Sequence, residues 1–101
     1  MPIFRVGFAV VQGRSMEPTL RPGDVLLLRY DVEPRAGQLV VVRLPDRPVA
    51  VKRAVRRDDG GWWVERDNPA EGVDSWLVGA IPDADVLACV WRRVWPLTRR
   101  P

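Results

Sequence analysis

Short apolar runs, rich in valine and leucine, alternate along the chain with turn-forming residues. β-Branched and aromatic residues bounded by turn signals favour strands over helices. The runs with this character are Ile3–Val11, Asp24–Tyr30, Gln38–Leu44, Val49–Arg57, Trp62–Arg66 and Val86–Trp95. The last run is ambiguous, because its valines at positions 86, 90 and 94 also have a helical spacing. The pattern predicts a chain built mostly of strands.

Turn-forming residues separate these runs. Pro22-Gly23 fits a type II turn, because proline fixes one φ angle and glycine accepts the positive one. Asp59-Gly60-Gly61 is typical of a hairpin turn, and residues 45–48, Pro-Asp-Arg-Pro, form a second connection of this kind. The chain of 101 residues is long enough for one core. We therefore expect a single compact domain over residues 1–101, with coiled antiparallel sheets in a barrel-like arrangement.

Side chains alternate between the two faces of a strand. In the run 49–57, residues 49, 51, 53 and 55 face one way, and Ala50, Lys52 and Ala54 face the other. This alternation places the amine of Lys52 among small side chains, where packed neighbours or a bound chain would crowd it.

The composition excludes several kinds of catalytic site. The chain has no histidine and a single cysteine, Cys89, with apolar neighbours. A Ser-His-Asp unit, a histidine-ligated zinc and a CxxC redox site are therefore excluded, and we expect no cofactor and no metal. Of the 16 basic residues only Lys52 is a lysine, and the only serines are Ser15 and Ser75. Any covalent chemistry must draw on this short set.

No apolar run approaches the roughly 20 residues that span a bilayer, and the N-terminal run lacks the features of a secretory signal. We therefore expect a cytoplasmic protein, and leave open whether Ile3–Val11 touches a membrane surface. The net charge of +3 permits weak contact with anionic partners without requiring it. The oligomeric state stays open.

The segment 13–20 reads Gly-Arg-Ser-Met-Glu-Pro-Thr-Leu. It resembles the nucleophile motif Ser-Met-x-Pro-Thr-Leu of the signal-peptidase family of serine proteases. Further blocks follow in family order: a Pro-Gly-Asp turn before a strand, Val51-Lys52-Arg53, Asp67-Asn68-Pro69 and Asp74-Ser75. The resemblance implies the fold shared by signal peptidases and repressor autoproteases, and a serine endopeptidase with a Ser-Lys dyad.

Within that family, the small size and the sequence from Val51 to Pro69 are most similar to the nickel-type superoxide dismutase maturation proteases. The resemblance implies removal of a short N-terminal extension from a protein precursor. Ser15 would be the nucleophile and Lys52 its base. A solvated lysine, with a pKa of about 10.4, leaves roughly one molecule in 2,500 uncharged at pH 7, so burial must lower that pKa.

Other residues of the motifs have supporting roles in this interpretation. The backbone N–H of Ser15 would help to bind the oxyanion, and Gly13 stands where some relatives carry a hydroxyl for this purpose. Met16 would pack against the cleft. The resemblance implies that Asp67, Asn68, Asp74 and Ser75 support the site, with Ser75 as a rival nucleophile or helper. The chain departs from the family at positions 66, 72 and 76, where it has Arg, Gly and Trp; the loss of a serine at position 72 removes a hydroxyl expected to orient the lysine.

We expect the substrate to bind as an added strand, with pockets near Ala50 and Ala54 that select small side chains. Three alternatives stay open. A self-cleaving repressor domain uses the same pair of residues, but only 14 residues precede Ser15. An inactive relative would act as a scaffold. A basic nucleic-acid-binding module would use arginines beside tryptophans, although alternation divides those arginines between faces. We favour the protease, which needs no nucleic acid.

Overall fold

Antiparallel strands account for most of the structure, a computed structural model that describes residues 5–46 and 48–97. The strands are β1 (Val6–Val10), β2 (Val25–Arg29), β3 (Leu39–Arg43), β4 (Val49–Asp58), β5 (Gly61–Glu65), β6 (Ile81–Pro82) and β7 (Val86–Trp95). One short helix, α1, covers Ser75–Val78, and a 3₁₀ turn covers Asp83–Asp85. The prediction of a mostly β fold is confirmed.

The described strands form one sheet in the order β1-β2-β7-β3-β4-β5-β6. Every neighbouring pair is antiparallel, and β7 inserts between β2 and β3. The register shifts within the β2–β7, β3–β7 and β4–β5 pairs. Such irregularities bend a strand and increase its twist, which curls the sheet into a half-barrel.

Two clusters of buried side chains form the core. The first lies beneath the connection between β1 and β2 and contains Val11, Met16, Leu20, Leu26, Leu28, Val41, Ala88 and Val90. The second contains Val40, Val42, Leu44, Ala54, Trp62, Val64, Ile81 and Cys89. Consecutive residues of β3 enter different clusters, so this central strand is buried on both faces. The loop that follows β1 is thereby anchored on a rigid base.

The run 86–95 is a strand throughout, which resolves its ambiguous spacing. The turn at Pro22-Gly23 has a φ of 92° at the glycine and is closed by a 3.0 Å hydrogen bond from Asp24 N to Arg21 O. Asp59 and Gly60 both have positive φ, as a tight hairpin requires. Residues 3 and 4 of the first predicted strand, and residue 47 of the connection between β3 and β4, lie outside the described residues.

An apolar patch covers the outer face of β1 and β7. We define the outer patch as Val6, Phe8, Val10, Trp91 and Trp95, each more than half exposed. Strand register connects them through β2, because Val10 and Trp95 both pair with position 25 and Val6 pairs with position 29. The guanidinium at position 29 lies 3.6 Å from the centre of the Trp91 ring. No helix in residues 5–46 and 48–97 has the length and apolar character needed to span a membrane.

Candidate active site

Ser15 lies in the connection between β1 and β2. This connection is tied at its base, where Val11 N donates to Asp24 O and Gly23 N donates to Val11 O, each at 2.8 Å. Next to the serine, Met16 is buried in the first core cluster. A buried neighbour and a closed base hold the Ser15 hydroxyl, which is partly exposed, at the rim of the sheet.

Lys52 lies in the middle of β4, opposite Val40 of β3. Its side chain is 2% exposed, as the strand alternation predicts for an inward-facing residue. The Nζ atom lies 2.9 Å from Ser15 Oγ, which is hydrogen-bond distance. Two residues that are 37 positions apart in the sequence thus meet at their reactive atoms.

Burial is the main reason that the pKa of Lys52 lies below its ordinary value. Removing an ammonium group from water disfavours the charged form. Asp74 acts in the opposite direction and raises the pKa, whereas the positive charge of Arg66 lowers it further. The site therefore favours an uncharged amine beside a hydroxyl.

A cleft of about 330 Å³ opens beside Ser15. Its wall is mainly apolar and is formed by Ala9, Val10, Val11, Gln12, Gly13, Ser15, Met16, Val41, Pro48, Val49, Ala50 and Val51. Gly13, Met16 and Ala50, three of the residues predicted at the cleft, are among the lining residues. Ala54 does not line this cleft. It is fully buried in the second core cluster, because the inner face of β4 passes from the cleft into the core beyond Lys52.

The segment after β5 is hydrogen-bonded to the loop that carries Ser15. Asn68 N donates to Ser15 O at 2.8 Å, and Asn68 Nδ2 donates to Arg14 O at 2.9 Å. Asp67 N contacts Met16 Sδ at 3.4 Å. Asn68 therefore fixes the backbone carbonyls of residues 14 and 15, and Asp67 contacts the side chain of Met16.

The carboxylate of Asp67 is occupied by other partners. Arg53 donates to both of its oxygens, at 2.9 and 2.6 Å, and Thr19 Oγ1 donates at 2.6 Å. The hydrogen bonds from Arg53 are the largest cause of a lowered Asp67 pKa. Thr19 and Arg53 were not singled out as site residues from the sequence. The only signal for them in the sequence was their position, Thr19 in the segment 15–20 and Arg53 directly after Lys52.

Asp74 and Ser75 organise the start of α1. Asp74 accepts hydrogen bonds from Trp76 N and Arg66 N, both at 3.1 Å, and acts as the N-cap of the helix. Ser75 is 1% exposed, and its Oγ accepts a 2.8 Å hydrogen bond from Val64 N. This burial and this bond give Ser75 a structural role and leave it without the access that a rival nucleophile needs.

Gly72 packs directly against the reactive pair. A Cβ atom at this position would lie 2.5 Å from Ser15 Cβ and 3.4 Å from Lys52 Nζ. The residue also has a φ of 95°, which side chains rarely adopt. The family resemblance implies only a lost hydroxyl at this glycine. In the structure, its missing side chain is what lets the loop approach Ser15.

Several arginine side chains of the described strands and their flanking segments form ion pairs within the protein. The ion pairs of Arg5 with Asp31, Arg43 with Asp85, Arg53 with Asp67 and Arg57 with Asp83 have distances between 2.5 and 3.4 Å. Guanidiniums paired in this way present less charge to a polyanion. Among the described residues, no three His, Cys, Asp or Glu side chains come together in a group that could hold a metal ion.

Comparison with known proteins defines the class as a peptidase. Mitochondrial inner membrane protease subunit 1 from Xenopus tropicalis is 30% identical in a gapped alignment of 114 positions, which covers 87% of this chain and 68% of the relative. The Homo sapiens protein of the same name is 25% identical in a gapped alignment of 118 positions, which covers 91% of this chain and 71% of that relative. Residues 4–88 match the Peptidase S24-like family, and the chain belongs to that family.

The contact at Gly72 leads to a prediction. We expect Gly72→Ala to abolish most peptidase activity, because the new methyl group would push Ser15 away from Lys52. The control is Gly60→Ala, which also has a positive φ, 84°, but open space around the new Cβ. Both variants should lose on the order of 1–3 kcal/mol of stability through backbone strain. Cleavage by Gly72→Ala at the wild-type rate, measured on folded protein, would contradict this account.

Proposed function

We propose that this peptidase is a serine endopeptidase in which Ser15 and Lys52 form the catalytic dyad. The observation that carries the proposal is the 2.9 Å contact between Lys52 Nζ and Ser15 Oγ at a site where the lysine is almost fully buried. A serine hydroxyl needs a base to take its proton as it attacks. In a chain without histidine, an uncharged lysine supplies that base.

The reaction follows from this pair. Ser15 Oγ attacks the carbonyl carbon of the scissile peptide bond while Lys52 Nζ accepts the hydroxyl proton. The resulting ammonium passes the proton to the leaving amine as the C–N bond breaks, which leaves an acyl group on Ser15. Lys52 then deprotonates a water molecule, which hydrolyses the ester and restores the serine. Arginine could not replace this lysine, because its guanidinium stays protonated.

The oxyanion of each tetrahedral intermediate needs hydrogen-bond donors, each worth about 2.7–4 kcal/mol. The backbone N–H of Ser15 is the donor we propose. Gly13 lines the same cleft and has no side chain to contribute, so further donors must come from the main chain or from water. Its φ of 74° suits a glycine and turns the backbone at the edge of the cleft.

The substrate that we propose is a protein precursor whose extended segment lies in the cleft between β1 and β4. Both walls are strand segments, and an extended chain can pair with a strand edge while its side chains enter pockets. The mainly apolar lining and the small side chain of Ala50 favour small apolar residues near the cleaved bond. The resemblance described above makes the nickel superoxide dismutase precursor the first substrate to test.

Substitutions of the two dyad residues test the proposed mechanism. Ser15→Ala and Lys52→Arg should both lose cleavage of the precursor, by about 10²–10⁴-fold for the loss of the base alone. Arg56→Lys is the control for the lysine change, since Arg56 stacks on Trp63 on the surface of the sheet. The measurement is the rate of appearance of the new amino terminus, with far-UV circular dichroism to establish folding. Full activity in either dyad variant would refute the proposed mechanism.

The second prediction separates the cleft from the core along β4. Ala50→Leu should lower kcat/KM for the precursor with little change in the free energy of unfolding, because it fills the cleft. Ala54→Leu should instead lower the free energy of unfolding by about 1–3 kcal/mol, because it overpacks the second core cluster. Denaturant unfolding and cleavage rates distinguish the two. Equal cleavage by wild type and Ala50→Leu would show that the pocket lies elsewhere.

We also propose that the outer patch makes peripheral contact with a membrane. Exposed apolar and aromatic side chains beside arginines are typical of surfaces that bind anionic lipid, at about 1 kcal/mol for each nearby cation. Both reported relatives carry the words "inner membrane" in their names, which supports the idea.

The test uses co-sedimentation with vesicles of mixed neutral and anionic phospholipid. Phe8→Ser and Trp91→Ser should each lower the bound fraction of protein. Trp76→Ser should not, because Trp76 is more exposed than either residue but packs against Trp63 outside the patch. If the wild-type protein does not sediment with the vesicles at low salt, the proposed membrane contact is wrong. The peptidase proposal does not depend on this result.

A further inference from the structure

Arg66 connects three groups behind the Ser15–Lys52 pair. Its backbone N–H donates to Asp74 Oδ2 at 3.1 Å, and its Nε lies 3.9 Å from the same oxygen. Its Nη1 donates to the carbonyl oxygen of Gly72. The guanidinium is about one third exposed, whereas the Asp74 side chain is almost fully buried. Arg66 therefore contacts both the backbone of Gly72 and the buried carboxylate of Asp74, which lie at the far end of the loop that begins with Arg66.

This arrangement closes the loop 66–74 on itself. On the inner side of the loop, Asn68 holds the Ser15 carbonyl, and Gly72 packs against Ser15 Cβ at the limit of available space. A shift of the Gly72 carbonyl would therefore displace the side chain of Ser15 directly. The hydrogen bond from Arg66 opposes such a shift, because it fixes that carbonyl from outside.

The same guanidinium acts on the charges around Lys52. The charged groups that influence Lys52 are the Asp74 carboxylate and Arg66 itself, while Ser15 is the group that it contacts. Two ion pairs also lie on the neighbouring segments: Asp67 with Arg53, and Arg14 with Glu17. The negative charge of Asp74 stabilises the protonated form of Lys52 and so raises its pKa. A guanidinium beside the carboxylate offsets this effect.

We propose that Arg66 is a positioning residue, which holds the loop 66–74 against Ser15 and offsets the negative charge of Asp74 next to Lys52. The proposal rests on the dyad described under Proposed function. It assigns to Arg66 a role in the protonation of the base, without contact between Arg66 and the substrate. A merely structural arginine would change stability and leave the titration of Lys52 where it was.

The experiment uses the fact that Lys52 is the only lysine in the chain. Full-length protein labelled with [ε-¹³C]lysine gives one side-chain signal, whose chemical shift is followed against pH without any substrate. In Arg66→Gln, removal of the positive charge should move the titration midpoint of Lys52 upward, since Asp74 is then no longer offset. Arg66→Lys keeps the charge but adds a second lysine signal, so it is compared by kcat for the precursor, which should stay close to wild type. Arg56→Gln removes an equal charge from the sheet surface and should leave the midpoint unchanged.

A second measurement separates positioning from folding. Thermal unfolding establishes that each variant is folded at the temperature of the titration, and Arg66→Met, which also removes the charge, replaces Arg66→Gln if that variant does not fold. At neutral pH, Arg66→Gln should lower kcat for the precursor and leave KM unchanged, because Arg66 does not line the cleft.

Suppose that the titration midpoint of Lys52 in wild type is below that of a solvated lysine, and that Arg66→Gln has the same midpoint as wild type. This result would overturn the role of Arg66 and leave the dyad intact. A wild-type midpoint equal to that of a solvated lysine would instead remove the dyad itself, and the role of Arg66 with it.

Discussion

The amine of Lys52 lies beside the hydroxyl of Ser15 with almost no access to water, and the rest of the site is arranged around that contact. Burial favours the uncharged amine, which is the form that the proposed mechanism requires, because a charged group is disfavoured away from water. The same burial has a cost. The unfolded chain binds the proton more tightly than the folded one, so Lys52 weakens the fold as pH falls below the ordinary lysine pKa. The curled sheet and its two core clusters supply the stability that this arrangement requires.

The local structure around Lys52 could be read from the sequence for a clear physical reason. Strand alternation with a period of two determines which side chains share a face, and it placed Lys52 inside without any knowledge of the partner strands. It could not determine where along that face the cleft ends and the core begins. Ala50 and Ala54 share a face with Lys52, yet only Ala50 lines the cleft, because Ala54 is buried in the second core cluster. Burial along a strand depends on what packs over it, which is a tertiary property.

The contacts between distant segments were harder to predict. The meeting of Ser15 and Lys52 was inferred from motifs in family order, since no periodic pattern links residues so far apart. The roles of Gly72 and Arg66 were missed for a related reason. A glycine in a loop shows neither its φ angle nor its neighbours, and an arginine before an Asp-Asn pair resembles any surface cation. Strand β6 has two residues and helix α1 has four. Both are too short for the side-chain periodicity of a strand or a helix to be visible in the sequence.

Membership of the Peptidase S24-like family and a half-barrel of antiparallel strands agree on a peptidase, and the geometry at Ser15 and Lys52 supports a mechanism for it. The measurement that tests this mechanism most directly is kcat/KM of the wild-type protein for the precursor as a function of pH. The account predicts that activity falls about tenfold per unit of pH below a single midpoint, the pKa of Lys52 in the free enzyme, and that this midpoint lies below the roughly 10.4 of a solvated lysine. Activity that does not change with pH, or a midpoint at the solvated value, would contradict it.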